Sequence, residues 1–198
     1  MAEIDAIVLA AGLSRRMGET NKLLLDIGGI PMIRHVVQQY LGAVDGRVYV
    51  VTGFENARVE EAVSDLPVVL VYNPEYQGGQ QSSVLRGLNA ASSSKGTLVG
   101  LGDQPALRVA DLRLLIAAHD ANRITVPVRG ERRGNPILIP AGLRSELLED
   151  RQNPGCRKFT RQNPDRVQMW SVDLDGFFDD VDTPDDYARL LPQLRRTA

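Results

Sequence analysis

Short apolar segments alternate with helical hydrophobic patterns along this sequence, and this alternation constrains the fold more than any other feature. Apolar runs of strand length occupy residues 4–10, 47–52 and 96–101, and each of them runs into a turn containing glycine. The same reasoning predicts further strands at 68–72, 124–128, 135–139 and 167–172, and helices at 31–41, 56–64, 82–91, 110–119, 142–149 and from Pro184 to just before Pro192. Strands that alternate with helices predict an α/β fold with a mostly parallel sheet.

The length and charge of the chain narrow the possible functions. A chain of 198 residues is long enough for a hydrophobic core, and we expect a single domain over 1–198. Lys and Arg number 23 against 25 Asp and Glu, so no basic excess predicts binding to nucleic acid or to a membrane surface. The sequence shows neither a signal peptide nor a membrane span, and we expect a soluble, cytoplasmic protein. The lone cysteine, Cys156, excludes an intrachain disulfide and is expected to pack in the structure.

A parallel sheet of this kind binds its ligands beyond the carboxyl ends of its strands. The segments after Leu9, Thr52, Tyr72 and Leu101 are therefore the places where functional side chains are expected. Three of these four segments, all except the one after Thr52, carry glycines and polar residues suited to binding an anion or a cation.

The first of these segments is predicted to bind phosphate. After Leu9 come the small residues Ala10, Ala11 and Gly12, followed by Ser14, Arg15, Arg16, Gly18 and Lys22. Small residues let backbone N–H groups approach an anion, and the nearby cations can bind phosphate oxygens. The spacing is neither that of a P-loop nor Gly-x-Gly-x-x-Gly. The alternative is a solvated loop with charges at its tip.

Two further segments contain candidate ligands. Residues 78–83 read Gly-Gly-Gln-Gln-Ser-Ser before a predicted helix, which Ser82 or Ser83 is expected to cap, and the free N–H groups there can meet an anion. Gly102 and Asp103 follow an apolar strand, where an unpaired carboxylate is costly, and Mg²⁺ is one partner that would neutralise it. A plain glycine turn and a type I turn are the alternatives at these two places.

An acidic region between residues 173 and 186 offers a second carboxylate. Thr183 and Pro184 are expected to begin a helix, with Asp185 and Asp186 in its first turn, where the helix dipole favours them. Asp182 precedes the cap and has no such explanation. A solvated acidic face is the alternative.

Together these motifs resemble the molybdenum cofactor nucleotidyltransferases, and more distantly the sugar-phosphate nucleotidyltransferases. Residues 9–22 resemble the family signature Leu-Ala-Ala-Gly-x-x-x-Arg-Met-Gly-…-Lys, and 101–105 read Leu-Gly-Asp-Gln-Pro, as in the cytidylyltransferase branch, whereas the guanylyltransferase branch more often shows Gly-Asp-Met-Pro. The resemblance implies a Rossmann-like nucleotidyltransferase domain with a mostly parallel, mixed sheet flanked by helices. It also implies metal binding by Asp103 and Asp182, catalysis by Arg16, Lys22 and Asp103, and nucleotide binding by Leu9, Ala10, Ala11, Gly12, Ser14, Arg16, Lys22, Gln81, Ser82 and Gly102.

The acceptor side of the site is expected in the basic segment 127–136. Arg129, Arg132 and Arg133 exceed what a hairpin tip needs and suit an anionic ligand, although a solvated loop is equally compatible with the charge. By resemblance, the acceptor is bound by Arg133, Gly134, Asn135 and Arg157. The family usually shows Gly-Asp-x-Gly-Ala-Arg where this chain has Asn153 and Cys156 in place of the Asp and the Ala, so the acceptor is left open.

The resemblance implies transfer of CMP from CTP to molybdenum-loaded molybdopterin, with Mg²⁺ as cofactor and release of pyrophosphate. A molybdoenzyme that receives the product is the expected protein partner. The alternatives are the same chemistry with GTP or another phosphorylated acceptor, a non-catalytic module that delivers the molybdenum cofactor, and an oxidoreductase built on the same scaffold. The absence of a dinucleotide fingerprint counts mildly against the oxidoreductase.

Overall fold

A computed structural model describes residues 3–18, 20–91, 95–149 and 156–194 of the chain. The strands are β1 (Ile4–Ala10), β2 (Asp26–Ile27), β3 (Ile30–Pro31), β4 (Val48–Thr52), β5 (Val68–Tyr72), β6 (Gly96–Leu101), β7 (Ile124–Arg129), β8 (Arg132–Arg133), β9 (Ile137–Pro140) and β10 (Val167–Ser171). The helices are α1 (Met32–Ala43), α2 (Asn56–Glu61), α3 (Gln80–Ala90), α4 (Val109–Ala117), α5 (Ala141–Glu149), α6 (Cys156–Gln162) and α7 (Pro184–Leu194). The predicted α/β class is confirmed.

Eight strands of the described chain form one mixed, mostly parallel sheet in the order β10-β7-β9-β6-β1-β4-β5, with β8 paired to β7. β9 runs antiparallel to both β6 and β7, whereas the pairs β1–β4, β1–β6, β4–β5 and β7–β10 are parallel. The chain moves outward from β1 through β4 to β5 and then returns to β6 on the other side of β1. The carboxyl ends of β1 and β6 therefore form a topological switch point, where open α/β sheets bind their ligands.

The sheet is covered on both faces. Ile4, Ala6, Val8 and Ala10 of β1 pack in one core with α1, α4 and α7, whereas Ile7 and Leu9 face a second core that contains α3, α5 and α6. Burial on both faces explains why β1 is a continuous apolar run instead of an alternating one. No helix of the described residues is long and apolar enough to cross a membrane.

Three elements differ from the sequence prediction. The hairpin β2–β3 and helix α6 were not predicted. Helix α7 continues through Pro192 to Leu194, so the prediction that it ends before the proline was wrong. Leu190 and Leu194 are both buried, and this packing holds the last turn of α7 although Pro192 has no backbone N–H to donate. Pro31 is the N-cap of α1 and not its first helical residue.

Candidate active site

The loop after β1 lies beside the end of β6. Leu9 is in register with Leu101, and the Gly102 N–H donates to the Leu9 carbonyl over 2.9 Å. The phosphate-binding candidates after β1 and the carboxylate candidate after β6 therefore start from neighbouring points on the same edge of the sheet. Because Gly102 uses its N–H in this pairing, its predicted contact with the nucleotide stays a prediction.

The loop folds back so that Lys22 points toward this edge. Ser14 adopts a left-handed conformation, with φ of 50°, directly before a 3-10 turn at Arg15–Met17. The Lys22 backbone N–H donates to the Ser14 hydroxyl over 3.2 Å, and the Asn21 side chain caps the next turn by accepting from the Leu23 N–H at 3.1 Å. Ser14 therefore has a defined structural contact within the loop, and Gly12 stays exposed at its start.

Lys22 joins the two predicted metal carboxylates. Its Nζ atom lies 2.5 Å from Asp103 Oδ2 and 2.7 Å from Asp182 Oδ1. The outer oxygen of Asp182 contacts an Arg16 guanidinium nitrogen at 2.8 Å, and the Arg16 side chain is 70% exposed. The four residues that were predicted to carry metal binding and catalysis thus form one ion-pair cluster.

The charge balance of this cluster favours an additional cation. Burial disfavours the charged form of Lys22, but Asp103 and Asp182 outweigh burial and raise the Lys22 pKa. Burial raises the pKa of Asp103, Lys22 opposes that shift, and the negative charges of Asp180 and Asp182 reinforce it. Asp180 and Asp182 thus add negative charge around Asp103, and the partly buried Lys22 and the exposed Arg16 offset only part of it. A divalent cation would relieve the remaining excess.

The donor atoms fit Mg²⁺ shared with a substrate. Asp103 Oδ1 is buried and has no hydrogen-bond partner in the described part of the chain, so one carboxylate oxygen is available as a ligand. No group of three or more potential metal-binding side chains occurs among the described residues. Mg²⁺ is commonly held by one or two carboxylates together with substrate phosphates, which matches this sparse set.

The end of the acidic region has the predicted local structure. The Thr183 N–H donates to Asp186 Oδ2 at 2.9 Å, and the Asp186 N–H donates to the Thr183 hydroxyl at 3.2 Å. This reciprocal cap begins α7 and confirms the structural explanation of Asp186. The Val181 N–H donates to the Asp103 carbonyl over 2.9 Å, a contact that places Asp182 beside the end of β6.

A cleft of about 860 Å³ is lined by Leu9 and Leu101, which lie near the carboxyl ends of β1 and β6. The predicted acceptor residues Arg133, Gly134, Asn135 and Arg157 line it, together with Leu9 and Gln81 from the predicted nucleotide set. Its apolar wall comes from strands and α3, including Val84, Val99, Leu101, Val126 and Ile137. Thr160 and Arg161 of α6 also line the cleft, and the sequence analysis missed them because it did not identify α6.

The three arginines of the basic hairpin do not act as one group. Arg129 pairs with Asp173 at 2.8 Å and Asp175 at 2.9 Å, and its guanidinium stacks on the Phe178 ring. Arg132 donates to the Phe178 carbonyl. Arg132 and Arg133 line the cleft, whereas Arg129 is not among its lining residues, so the binding of one anionic ligand by all three arginines stays a prediction.

The predicted serine cap of α3 was also wrong. The helix begins at Gln80, and its N-cap is Gly79 with φ of 106°, a backbone conformation that favours glycine. The Ser82 hydroxyl lies within the helix, 2.9 Å from the carbonyls of both Glu75 and Gly79, and it accepts from the Asn73 side chain. These contacts anchor the preceding turn, and a role for Ser82 in nucleotide binding stays a prediction.

The two histidines and the lone cysteine are at least partly buried. His35 and His119 are partly buried, and the His35 Nε2 atom lies 3.1 Å from the Pro105 carbonyl. Cys156 is buried in the second core, which raises its pKa to about 12, so its thiol is protonated at neutral pH. Asn153, which replaces the Asp of the family pattern, lies outside the described residues.

Comparisons with known proteins identify the family of the chain. Residues 6–167 match the family of the MobA-like NTP transferase domain. Nicotine blue oxidoreductase of Paenarthrobacter nicotinovorans is 32% identical over 95% of this chain and 96% of its own length. The molybdenum cofactor cytidylyltransferase of Escherichia coli is 28% identical over 94% of this chain and 95% of its own length.

Solved structures share the whole fold. A nucleotidyl transferase from Methanothermobacter thermautotrophicus superposes with a TM-score of 0.87 and 27% identity, covering 99% of both chains. A Mycobacterium tuberculosis protein solved as a complex with manganese superposes with a TM-score of 0.75 and 25% identity, covering 96% of this chain and 98% of that one. The Rossmann-like architecture is that of nucleotidyltransferases, and the chain belongs to the MobA-like NTP transferase domain family.

Proposed function

We propose that this protein transfers CMP from CTP to molybdenum-loaded molybdopterin and releases pyrophosphate. The observation that carries the proposal is the cluster at the switch point, where Lys22 joins Asp103 and Asp182 beside the exposed Arg16. Cations on the loop after β1, one carboxylate after β6 and another just before α7 suit a metal–triphosphate substrate.

The bonds that change in this reaction need little covalent chemistry from the protein. An oxygen of the acceptor phosphate attacks the α-phosphorus of CTP, and the bond between that phosphorus and the bridging oxygen of the β-phosphate breaks. The acceptor phosphate is already ionised, so no side chain has to remove a proton from it. Arg16 and Lys22 stabilise the charge that develops on the departing pyrophosphate. For this they exchange their carboxylate partners for phosphate oxygens.

Asp103 and Asp182 would hold the metal. When bound, Mg²⁺ supplies positive charge that neutralises phosphate oxygens of the nucleotide. The buried Asp103 Oδ1 atom, which has no hydrogen-bond partner among the described residues, supports this assignment. The negative charges of Asp180 and Asp182 near Asp103 support it as well. We assign the triphosphate to the end of β1 and the loop after it, at Leu9, Ala10, Ala11, Gly12 and Ser14. Gln81 at the cleft is assigned to the nucleoside.

We assign the part of the cleft that Arg133 and Arg157 line to the acceptor. Arg133 and Arg157 provide positive charge for its phosphate, and Gly134 and Asn135 form the adjoining wall. The aliphatic side chains on the opposite side of the cleft would contact the flat ring system of a pterin. A molybdoenzyme that receives the product is proposed as the protein partner.

The choice of CTP rests on Leu-Gly-Asp-Gln-Pro at residues 101–105 and on the similarity to a cytidylyltransferase over nearly the full length of both chains. GTP, or a different phosphorylated acceptor, would use the same cluster without change. A delivery module would retain the cleft and bind the nucleotide without turnover.

An oxidoreductase is the second candidate function, because the relative with 32% identity carries that name. It would leave Arg16 and Lys22 without a triphosphate to neutralise. For this reason we place nucleotidyl transfer first.

The test is pyrophosphate release with Mg²⁺, molybdenum-loaded molybdopterin, and CTP, GTP or ATP in turn. Release that requires the acceptor and is fastest with CTP is expected. Faster release with GTP would mean that GTP, and not CTP, is the nucleotide substrate. Nucleotide binding without release would favour the delivery module, and consumption of reduced nicotinamide without release would favour the oxidoreductase.

A further inference from the structure

A buried hydroxyl group stands directly behind one arginine of the cleft. Thr160 of α6 is 3% exposed, and its Oγ1 atom accepts a hydrogen bond of 3.0 Å from Arg133 Nη1. Arg133 itself is exposed at the wall of the cleft. The acceptor, Thr160, is therefore fixed in the protein interior, and the donor, Arg133, lies on a surface that a ligand can reach.

The orientation of this hydroxyl is defined by a second hydrogen bond. Thr160 Oγ1 donates to the Arg157 carbonyl, one helical turn earlier, over 3.2 Å. Because a hydroxyl has a single proton, its remaining lone pairs are directed to other donors. Arg133 is the donor that the structure places there, so the hydroxyl serves as a fixed acceptor for the guanidinium.

The surroundings of Arg133 make such an anchor necessary. Arg132, Arg157 and Arg161 line the same cleft, and Glu131 is the acidic residue among its described lining residues. Like charges repel one another, and a free arginine side chain samples many rotamers, with roughly 2 kcal/mol of rotamer entropy. Without an anchor, the exposed Arg133 side chain would sample other rotamers and would face the cleft for less of the time.

We propose that Thr160 is a positioning residue, which holds the Arg133 guanidinium in the orientation that binds the anionic group of the acceptor. This inference rests on the proposed function, in which the cleft receives a phosphorylated acceptor. The role given to α6 is to hold Arg133 through the buried residue Thr160. Thr160 forms hydrogen bonds with Arg133 and Arg157, both assigned to the acceptor, so the effect is expected on the acceptor and not on the nucleotide.

The experiment compares Thr160→Val, which keeps the side-chain shape but removes the hydroxyl, with Thr160→Ser, which keeps the hydroxyl. Arg133→Ala and the double variant with Thr160→Val complete a double-mutant cycle. Thr125→Val is the matched control, because Thr125 is fully buried and donates to Gln168 Oε1 at 3.0 Å, away from the cleft. The wild type and each variant are assayed with Mg²⁺, CTP and molybdenum-loaded molybdopterin.

Thr160→Val is expected to raise the KM for the acceptor about ten-fold, the size expected for a hydrogen bond to a charged group, with the KM for CTP unchanged. Thr160→Ser and Thr125→Val are expected to leave the acceptor KM near the wild-type value. In the Arg133→Ala background, Thr160→Val is expected to have no further effect on this KM. An unchanged acceptor KM in Thr160→Val, or a full additional loss in the double variant, would overturn the proposal.

A second measurement separates this inference from the proposed function. The NMR order parameter of the Arg133 Nε–H group is expected to fall in Thr160→Val and to persist in Thr160→Ser. If the wild type releases no pyrophosphate, the proposed function is contradicted. The order parameter of Arg133 then tests by itself whether Thr160 holds the guanidinium in place. An order parameter that is equal in the wild type and Thr160→Val would contradict that role whatever the activity.

Discussion

At the scale of single residues, the cluster at the switch point combines contacts that the sequence separates widely. Lys22 and Asp182 are 160 positions apart, yet their charged atoms lie 2.7 Å apart. The sequence motifs identified each member of the cluster because each one follows a strand or precedes a helix cap. The direct pairing of Lys22 with both carboxylates was not predicted, because it depends on how the loop folds back through Ser14 and Asn21.

Replacing Asp103 by Asn tests the metal role. Lys22 would still pair with Asp182, so we expect the fold and melting temperature to be retained. Pyrophosphate release should fall by about 100-fold or more, because a charged ligand for the metal is lost. Asp185→Asn is the control, since Asp185 is exposed in the first turn of α7. Wild-type turnover by a normally folded Asp103→Asn variant would refute the metal role.

Replacing Lys22 by Met tests the charge balance. Two carboxylates would then face each other without the ammonium between them, and breaking such a pair costs about 3–5 kcal/mol when it is buried, less at partial exposure. The melting temperature should fall, and Mg²⁺ alone should raise it more in the variant than in the wild type.

Thermal unfolding with and without Mg²⁺ measures both effects of the Lys22 replacement. Lys95→Met serves as the control, because Lys95 is exposed. If Mg²⁺ stabilises the variant and the wild type equally, the carboxylates do not bind the metal in the way proposed here.

At the scale of elements, most strands and helices were predictable, and the exceptions have physical reasons. β1, β4 and β6 are buried on both faces, so they appear as continuous apolar runs. α6 has seven residues and buries Cys156, Phe159 and Thr160, which is too short a pattern to show helical periodicity. This helix carries the cleft residues that the sequence analysis missed.

Strand β6 is expected to tolerate no side chain at Gly100. A Cβ atom there would lie 1.8 Å from the hydroxyl oxygen of Tyr40, whose side chain is fully buried. Gly100→Ala should cost about 2–3 kcal/mol and lower the melting temperature by roughly 4–12 °C. Activity should fall as well, because Asp103 follows this strand.

Gly142→Ala is the matched control for this substitution. Gly142 lies in α5 with no atom within 4 Å of the added Cβ, so alanine should stabilise the helix by about 0.5–1 kcal/mol. Thermal melts of the two variants should therefore move in opposite directions. A Gly100→Ala protein that melts like the wild type would show that Tyr40 can move aside.

At the scale of the whole molecule, the two cores separate the roles of the sheet faces. Helix α7, which begins just after Asp182 of the ion-pair cluster, packs on one face together with α1, and the helices α3 and α6 that line the cleft pack on the other. The order of strands explains why the ion-pair cluster and the cleft lie at the same edge of the sheet. Both use residues near the carboxyl ends of β1 and β6, where the direction of the strand order reverses. Sequence periodicity predicts the strands, but their order depends on crossovers that periodicity does not encode.

The stability of the whole molecule should depend on two partly buried histidines. Burial lowers the pKa of both His35 and His119 below the ordinary value of 6.5. Below pH 6.5 the unfolded chain therefore binds protons that the folded chain does not, and the free energy of unfolding should fall as the pH drops through that value toward the lowered pKa values. Urea unfolding of the wild type between pH 8 and pH 5 measures this loss, and the variant His35→Gln/His119→Gln should show a smaller one. The carboxylates are identical in the two proteins, so the difference between their curves isolates the histidines; parallel curves would mean that neither histidine contributes.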